Sequence, residues 1–253
     1  MTWLRPLVLI ALVASVANAR PRYYAVHIDH LAPGKAKQFE DARRAWVGVL
    51  AKHSTTDGRG WLLQLDPSTF YTLRPFDSFA QLDHRRELVT RALASVPAAD
   101  AKEYDRLCDD ALAPPHKSEL WQVDEALSYT PATAAPTEET AGYAVVVFEE
   151  LDPTPAGEAY EQAWKPVVAA LATAGHPITR LAFDSLYGDG RRITVWLARS
   201  KEDFDRAPTV EATAARILGR EKSDALFKSI KGSVLKTERF ETRPRRDLSS
   251  RPL

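Results

Sequence analysis

Cysteine is nearly absent from this 253-residue chain: Cys108 is the only one, and there is one methionine. A single thiol excludes an intrachain disulfide framework and a thiolate zinc cage. Net charge is also missing, with 34 Lys+Arg against 34 Asp+Glu. A chain of this balance has no whole-protein field to draw in a phosphate backbone, so no nucleic-acid partner is expected. P-loop, GxGxxG, GxSxG, HExxH and CxxC patterns are all lacking, which removes the common nucleotide, serine-hydrolase and zinc-protease signatures. What remains, 45% hydrophobic and 27% charged residues, is the composition of a globular protein.

The N-terminus places Arg5 before an apolar run from Leu7 to Val16 and then Ala17-Asn18-Ala19. A short apolar stretch ending in small residues is the pattern of an export signal, so residues 1–19 are read as a signal peptide cleaved after Ala19. The run falls short of the roughly 20 apolar residues a bilayer span needs, and no membrane span is expected after cleavage. A periplasmic or secreted destination follows. Cys108 would find no intrachain partner there, and it lies in a helical stripe with Tyr104, Leu107, Ala111 and Leu112, which predicts a small buried apolar group.

The remaining chain repeats an order of elements. YYAVHIDHLAP from Tyr23 aligns without a gap with YAVVVFEELDP from Tyr143, and FEDARRAWVGVL from Phe39 with YEQAWKPVVAAL from Tyr160. Each unit opens with a β-rich run and continues with apolar residues at helical spacing. Two more strand candidates follow, Trp61–Leu65 and Phe70–Leu73 in the first, 178–186 and 193–198 in the second. A second helical region comes next, opened by Asp77 or Ser78 and by Ser200 with Asp203 three residues on. Strands at 120–126 and 234–240 close the units. The order β-α-β-β-α-β is the ferredoxin-like split unit. The expected domains are 22–127 and 142–242, joined by a Pro/Thr/Ala linker at 128–141 and followed by a flexible basic tail at 243–253.

Both parities of the opening strands are apolar, so each needs cover on both faces. Helices cover one face of each four-stranded sheet, and the linked unit is the nearest cover for the other. The expected architecture is α+β: two tandem ferredoxin-like units whose antiparallel sheets pack face to face within one chain, giving a monomer. This pattern resembles the dimeric α/β-barrel superfamily. The resemblance rests on the opening strands, on AYEQAWKPVVAALATAG around Pro166, and on SKEDFDRA from Ser200 with its counterpart DSFAQLDH from Asp77. It covers residues 22 to 242. It implies a fold shared by cofactor-independent monooxygenases, isomerases and haem enzymes, so it does not by itself choose a function.

Among candidate residues, His27 and His30 sit three apart on a strand and therefore on opposite faces, which argues against a shared metal. No metal site and no cofactor are expected. Gly188-Asp189-Gly190 reads as a hairpin turn between strands rather than as a haem-peroxidase signature. His53, His84, His116 and His176 fall at helix ends or connections, where exposure or a helix C-cap is the ordinary role. Gln64, Trp61, Gln122 and Arg180 are polar or aromatic groups in apolar strands, suited to fixing a ligand. Trp46, Trp121, Trp164 and Trp196 read as core. The expected function is binding of a small apolar molecule or a protein partner. The competing reading is a cofactor-independent monooxygenase or isomerase, with His27 transferring a proton and Tyr71 or Arg74 positioning an oxyanion. A third is an assembly protein using sheet edges or Cys108.

Overall fold

The computed structural model describes residues 21–52, 60–133, 135–153 and 156–249. The signal-peptide reading of residues 1–19 lies outside them, as does His53. The first half contains β1 (Tyr23–Leu31), α1 (Ala36–Lys52), β2 (Trp61–Asp66), β3 (Thr69–Phe76), α2 (Phe79–Ala94), α3 (Ala98–Ala111) and β4 (Leu112–Val123). In the second half follow β5 (Tyr143–Leu151), α4 (Ala156–Ala174), β6 (Thr179–Tyr187), β7 (Arg192–Ala198), α5 (Lys201–Arg206), α6 (Val210–Leu218), α7 (Arg220–Gly232) and β8 (Val234–Pro244). No described helix is long and apolar enough to cross a membrane.

Local chemistry explains the boundaries. The Ser78 hydroxyl accepts from the Gln81 amide while the Gln81 side chain accepts from the Asp77 amide, so two free donors at the start of α2 are satisfied reciprocally. Ser200 caps α5 through the Asp203 amide, and Thr209 caps α6 through the Ala212 amide. The 188–190 segment joins β6 to β7, as its Asp-Gly turn predicts, with positive φ at Gly188 and Gly190.

Two separate sheets facing each other do not form. All eight antiparallel strands join one closed barrel in the order β1-β3-β2-β8-β5-β7-β6-β4. Two seams close it: β2 meets β8 at Leu63–Pro244 and Gln64–Arg243, and β4 meets β6 from Leu120–Tyr187 to Val123–Phe183. Open edges would leave a row of backbone donors and acceptors unpaired, and closure removes them. The barrel interior is apolar, built from alternate residues such as Tyr24, Val26 and Ile28 of β1 and Val146 and Phe148 of β5. Residues of the other parity face the helices. Leu62 and Phe70 pack with Phe39 in one half, and Ala182 packs with Trp164, Val167 and Leu171 in the other.

The segments outside the strands are more ordered than their composition implies. Tyr129 and Ala141 of the expected linker are buried, and Tyr129 pairs with Arg180 by two backbone hydrogen bonds. The expected free tail also departs from its reading, since β8 runs to Pro244 and the chain then docks on the first half. Leu248 is fully buried beside Leu62 and Phe39. Arg245 makes a two-point pair with Glu40 and reaches the Gln64 side chain, while Asp247 accepts from Arg44 and Arg245. Of the basic residues that suggested a solvated end, Arg245 finds Glu40 on α1 and Arg246 donates to the Ala141 carbonyl, matches between distant segments that local composition does not display.

Leu248→Ala should lower stability by about 2–4 kcal/mol, the cost of emptying a buried leucine site. A urea melt reads this, and a change under about 0.5 kcal/mol would mean the segment is not docked. The Asp247 carboxyl is held at about 2, below its ordinary 3.8, chiefly by its hydrogen bond from Arg245. A depressed acid stabilises the fold above its unfolded pKa and loses that contribution as pH falls through the folded value. The Tm difference between wild type and Asp247→Asn should therefore be present at pH 7 and shrink between about pH 4 and about pH 2.

Candidate functional site

The strand alternation that builds the barrel sorts the candidate residues into two layers. Tyr71 pairs with Ile28 and faces the interior, whereas Thr72 pairs with His27 and Arg74 with Ala25 on the outer face. The proposed trio of His27, Tyr71 and Arg74 is thus not one site: the sheet stands between Tyr71 and the other two. Trp61 lies in the interior core. Gln64 and Gln122 have outward parity, Gln64 being engaged by Arg245. Arg180 is fully buried between sheet and helix in the second half, stacked on Trp164 at 4.0 Å from the ring centre. Its guanidinium donates to the Leu127 carbonyl and to Thr194 Oγ1. Burial pushes its pKa down to about 10. These contacts make it a core strut. His176, read as exposed or a charged cap, is buried with Nε2 against the Pro208 carbonyl at 2.9 Å. His116 belongs to β4 rather than to a connection.

One end of the barrel does hold a cavity, of about 440 Å³. Ile28, Leu65, Tyr71, Phe148 and Phe240 supply its apolar lining, and His30, Lys117, Asp189, Arg191, Lys236 and Glu238 its polar groups. Tyr71 and Phe148 have ring centres 5.7 Å apart, and the Arg191 guanidinium lies 3.9 Å from the Phe148 ring centre. This cationic lid over an aromatic face is a favourable arrangement where water is scarce.

Arg191 organises the polar side. Its Nη2 donates to the Tyr71 hydroxyl at 3.2 Å and to Glu119 Oε1 at 3.0 Å. Glu119, almost wholly buried, uses its other oxygen to accept from Trp121 Nε1 at 2.6 Å. Burial opposes the Arg191 charge, yet Tyr71 and Glu119 outweigh it and its pKa is raised. The Tyr71 hydroxyl is raised mainly by burial, with Arg191 pulling the other way. Tyr71 therefore stays protonated at neutral pH. Because it already accepts from Arg191, its own proton is the one free to point at a ligand. His30, the second histidine of β1, lines the same cavity with Nδ1 3.5 Å from Thr69 Oγ1.

Sequence reasoning found Tyr71 and missed Arg191, Glu119 and His30 as its company. Parity alone separates His30 from His27 and was the available signal for it. Arg191 lies 120 residues from Tyr71, and only barrel closure brings the two together.

No protein-family model matches the chain, and no curated protein matches it by sequence. Solved structures do match its fold. A candidate monooxygenase from Fusobacterium nucleatum is similar at TM-score 0.57 and 10% identity, over 89% of this chain and 93% of that one. A second candidate monooxygenase, from Lactobacillus acidophilus, gives 0.54 and 9% over 92% and 98%. A chlorite dismutase from Candidatus Nitrospira defluvii gives 0.49 and 10% over 90% and 93%. The fold is that of the dimeric α/β barrels.

Removing Glu119 takes away the nearest and most buried counter-charge of Arg191, leaving the longer contacts to Asp189 and Glu238 at 3.9 Å. Glu119→Ala should cost about 3–5 kcal/mol, the usual penalty for breaking a buried pair from one side. Gly188 has φ +128°, and a Cβ there would sit 2.6 Å from Glu119 Cγ. Gly188→Ala should destabilise in the same assay, while Lys117→Ala, at an exposed position, should stay within about 0.5 kcal/mol of wild type. Equal stability of all three variants would remove the Glu119–Arg191 pair from the structural account.

Proposed function

We propose that the protein binds a small, largely apolar molecule carrying an acceptor oxygen, such as a phenol or an enolisable ketone, in the barrel-end cavity. The observation that carries this reading is the Tyr71 hydroxyl. It is fixed by Arg191, kept protonated by burial, and set in an aromatic wall formed with Phe148. A small-molecule site usually pairs apolar wall with a few oriented polar groups, and here Tyr71 and Arg191 are the oriented donors beside the aromatic wall, within a charged rim. In this reading the two halves are diverged copies of one ferredoxin-like unit, and the site belongs to their junction. Residues 1–19 serve as the export signal, and the mature chain acts as a monomer in the periplasm or outside the cell.

The test uses the aryl sulfonate 8-anilinonaphthalene-1-sulfonate as probe, its ring suited to the aromatic wall and its oxygens to the hydroxyl. Wild type should bind one equivalent. Tyr71→Phe should weaken binding about 5–10-fold, the worth of one net hydrogen bond. His27→Ala, on the outer face, should leave it unchanged. Identical affinity in wild type and Tyr71→Phe would sink the proposal.

A second reading, cofactor-independent oxygenation, is favoured by the same donor pair and by the fold shared with two candidate monooxygenases. Here an enolisable methylene gives two hydrogens to O₂ as water and gains one oxygen as a carbonyl. Arg191 and Tyr71 would hold the enolate oxygen, and His30 rather than His27 would receive the proton. Anthrone is a suitable probe in an oxygen electrode. Uptake of one O₂ per anthrone, slowed at least about 10-fold in His30→Ala, supports catalysis. Rates equal to the buffer blank leave only the binding role.

A further inference from the structure

Three side chains on the opposite face of the sheet from the cavity converge without any role in the site above. Positions i and i+2 of a strand share a face, so His27 and Asp29 of β1 project together. His27 Nε2 is 3.0 Å from Asp29 Oδ1. The third member comes from β4. Ile28 pairs with Lys117 and His30 with Ala113, so three β4 residues, 114–116, stand opposite the single Asp29. That irregularity brings His116 Nδ1 to 3.9 Å from Asp29 Oδ1. One ligating atom from each of the three residues lies within 4.8 Å of the others.

We propose that His27, Asp29 and His116 form a binding site for a divalent first-row transition metal of the Zn²⁺ type. Two imidazoles and one carboxylate match the donor preference of Zn²⁺ and its neighbours, whereas Mg²⁺ and Ca²⁺ take all-oxygen sets. Metal–ligand bonds of about 2.0–2.2 Å require donor atoms roughly 3–3.5 Å apart; His27 and Asp29 already stand at 3.0 Å, and His116, at 3.9 Å from Asp29, would close in on the ion. The Asp29 side chain is only 6% exposed, and the two histidines are its ion-pair partners. A carboxylate so far removed from water gains from a cation beside it. The imidazoles are 40% and 45% exposed, which leaves an approach from solvent. His116 also borders a second opening with Ser118 and Tyr187.

A supporting contact completes the arrangement. His27 Nδ1 lies 3.4 Å from Ser118 Oγ, so Nε2 is left facing Asp29. Holding the far nitrogen of a ligating histidine in this way is a recurring feature of protein metal sites. With three protein donors and exposed rings, the ion keeps at least one position for water or a small anion. None of the three residues lines the barrel-end cavity. His30 faces the barrel-end cavity and takes no part.

Untagged full-length chain, stripped with chelator and titrated with Zn²⁺ against a chromophoric competitor, tests the proposal. Wild type should take up one Zn²⁺ per chain. His116→Ala and Asp29→Asn should each weaken uptake at least about 10-fold. His30→Ala and Cys108→Ser should bind as wild type, and circular dichroism checks that each variant is folded. Wild-type binding no tighter than that of a His27→Ala/His116→Ala double variant would overturn it. So would a loss in His30→Ala equal to that in His116→Ala.

Discussion

Each half of this chain, taken alone, would expose two strand edges whose backbone groups seek partners, and the two seams β2–β8 and β4–β6 satisfy all four at once. Closure is the constraint on which the remaining features depend. It encloses the aromatic interior around Trp121, Phe148 and Phe183. It also carries β8 to the β2 edge, from which residues 245–249 continue onto α1 and the outer face of the first half. The barrel-end site is a product of the same closure. Tyr71 and Glu119 come from the first half and Arg191 from the second, so neither half possesses the hydrogen-bonded set.

The two halves use one topology for different ends. In the second, α4 lays Tyr160, Trp164, Val167 and Leu171 over the sheet, and even Arg180 is absorbed as a buried strut between indole rings. In the first, the outer face of β1 and β4 keeps His27 and His116 partly in solvent. Val147, the second-half counterpart of His27, packs with an apolar cluster. The outer face of the first-half sheet thus keeps accessible histidines, while at the mouth the second half supplies Arg191 together with Asp189, Lys236 and Glu238.

Much of the fold was legible because it depends on local periodicity. Strand alternation in YYAVHIDHLAP and YAVVVFEELDP, the caps at Ser78 and Ser200, and the turn at 188–190 are each decided within a few residues. The site was legible only in fragments. Tyr71 was visible as a polar group in an apolar strand, and the opposed facing of His27 and His30 followed from strand geometry. Arg74, Gln64 and Gln122 carried the same kind of signal and proved to lie on the outside, since a polar residue in an apolar strand does not reveal which face is the interior.

The sequence by itself determined the succession of strands and helical regions and the alternation of the core strands, because these follow from side-chain pattern over short stretches; it did not show that the second helical regions divide into two and three helices or that β4 begins at Leu112. Tertiary structure alone decided which parity faces inward, how the sheets join and which distant charges meet. Arg191 with Tyr71, His116 with Asp29, and Arg245 with Glu40 are separated by tens to hundreds of residues. Such pairs are selected by the geometry of closure and by the cost of leaving a buried charge unpaired, and neither leaves a periodic trace in the chain.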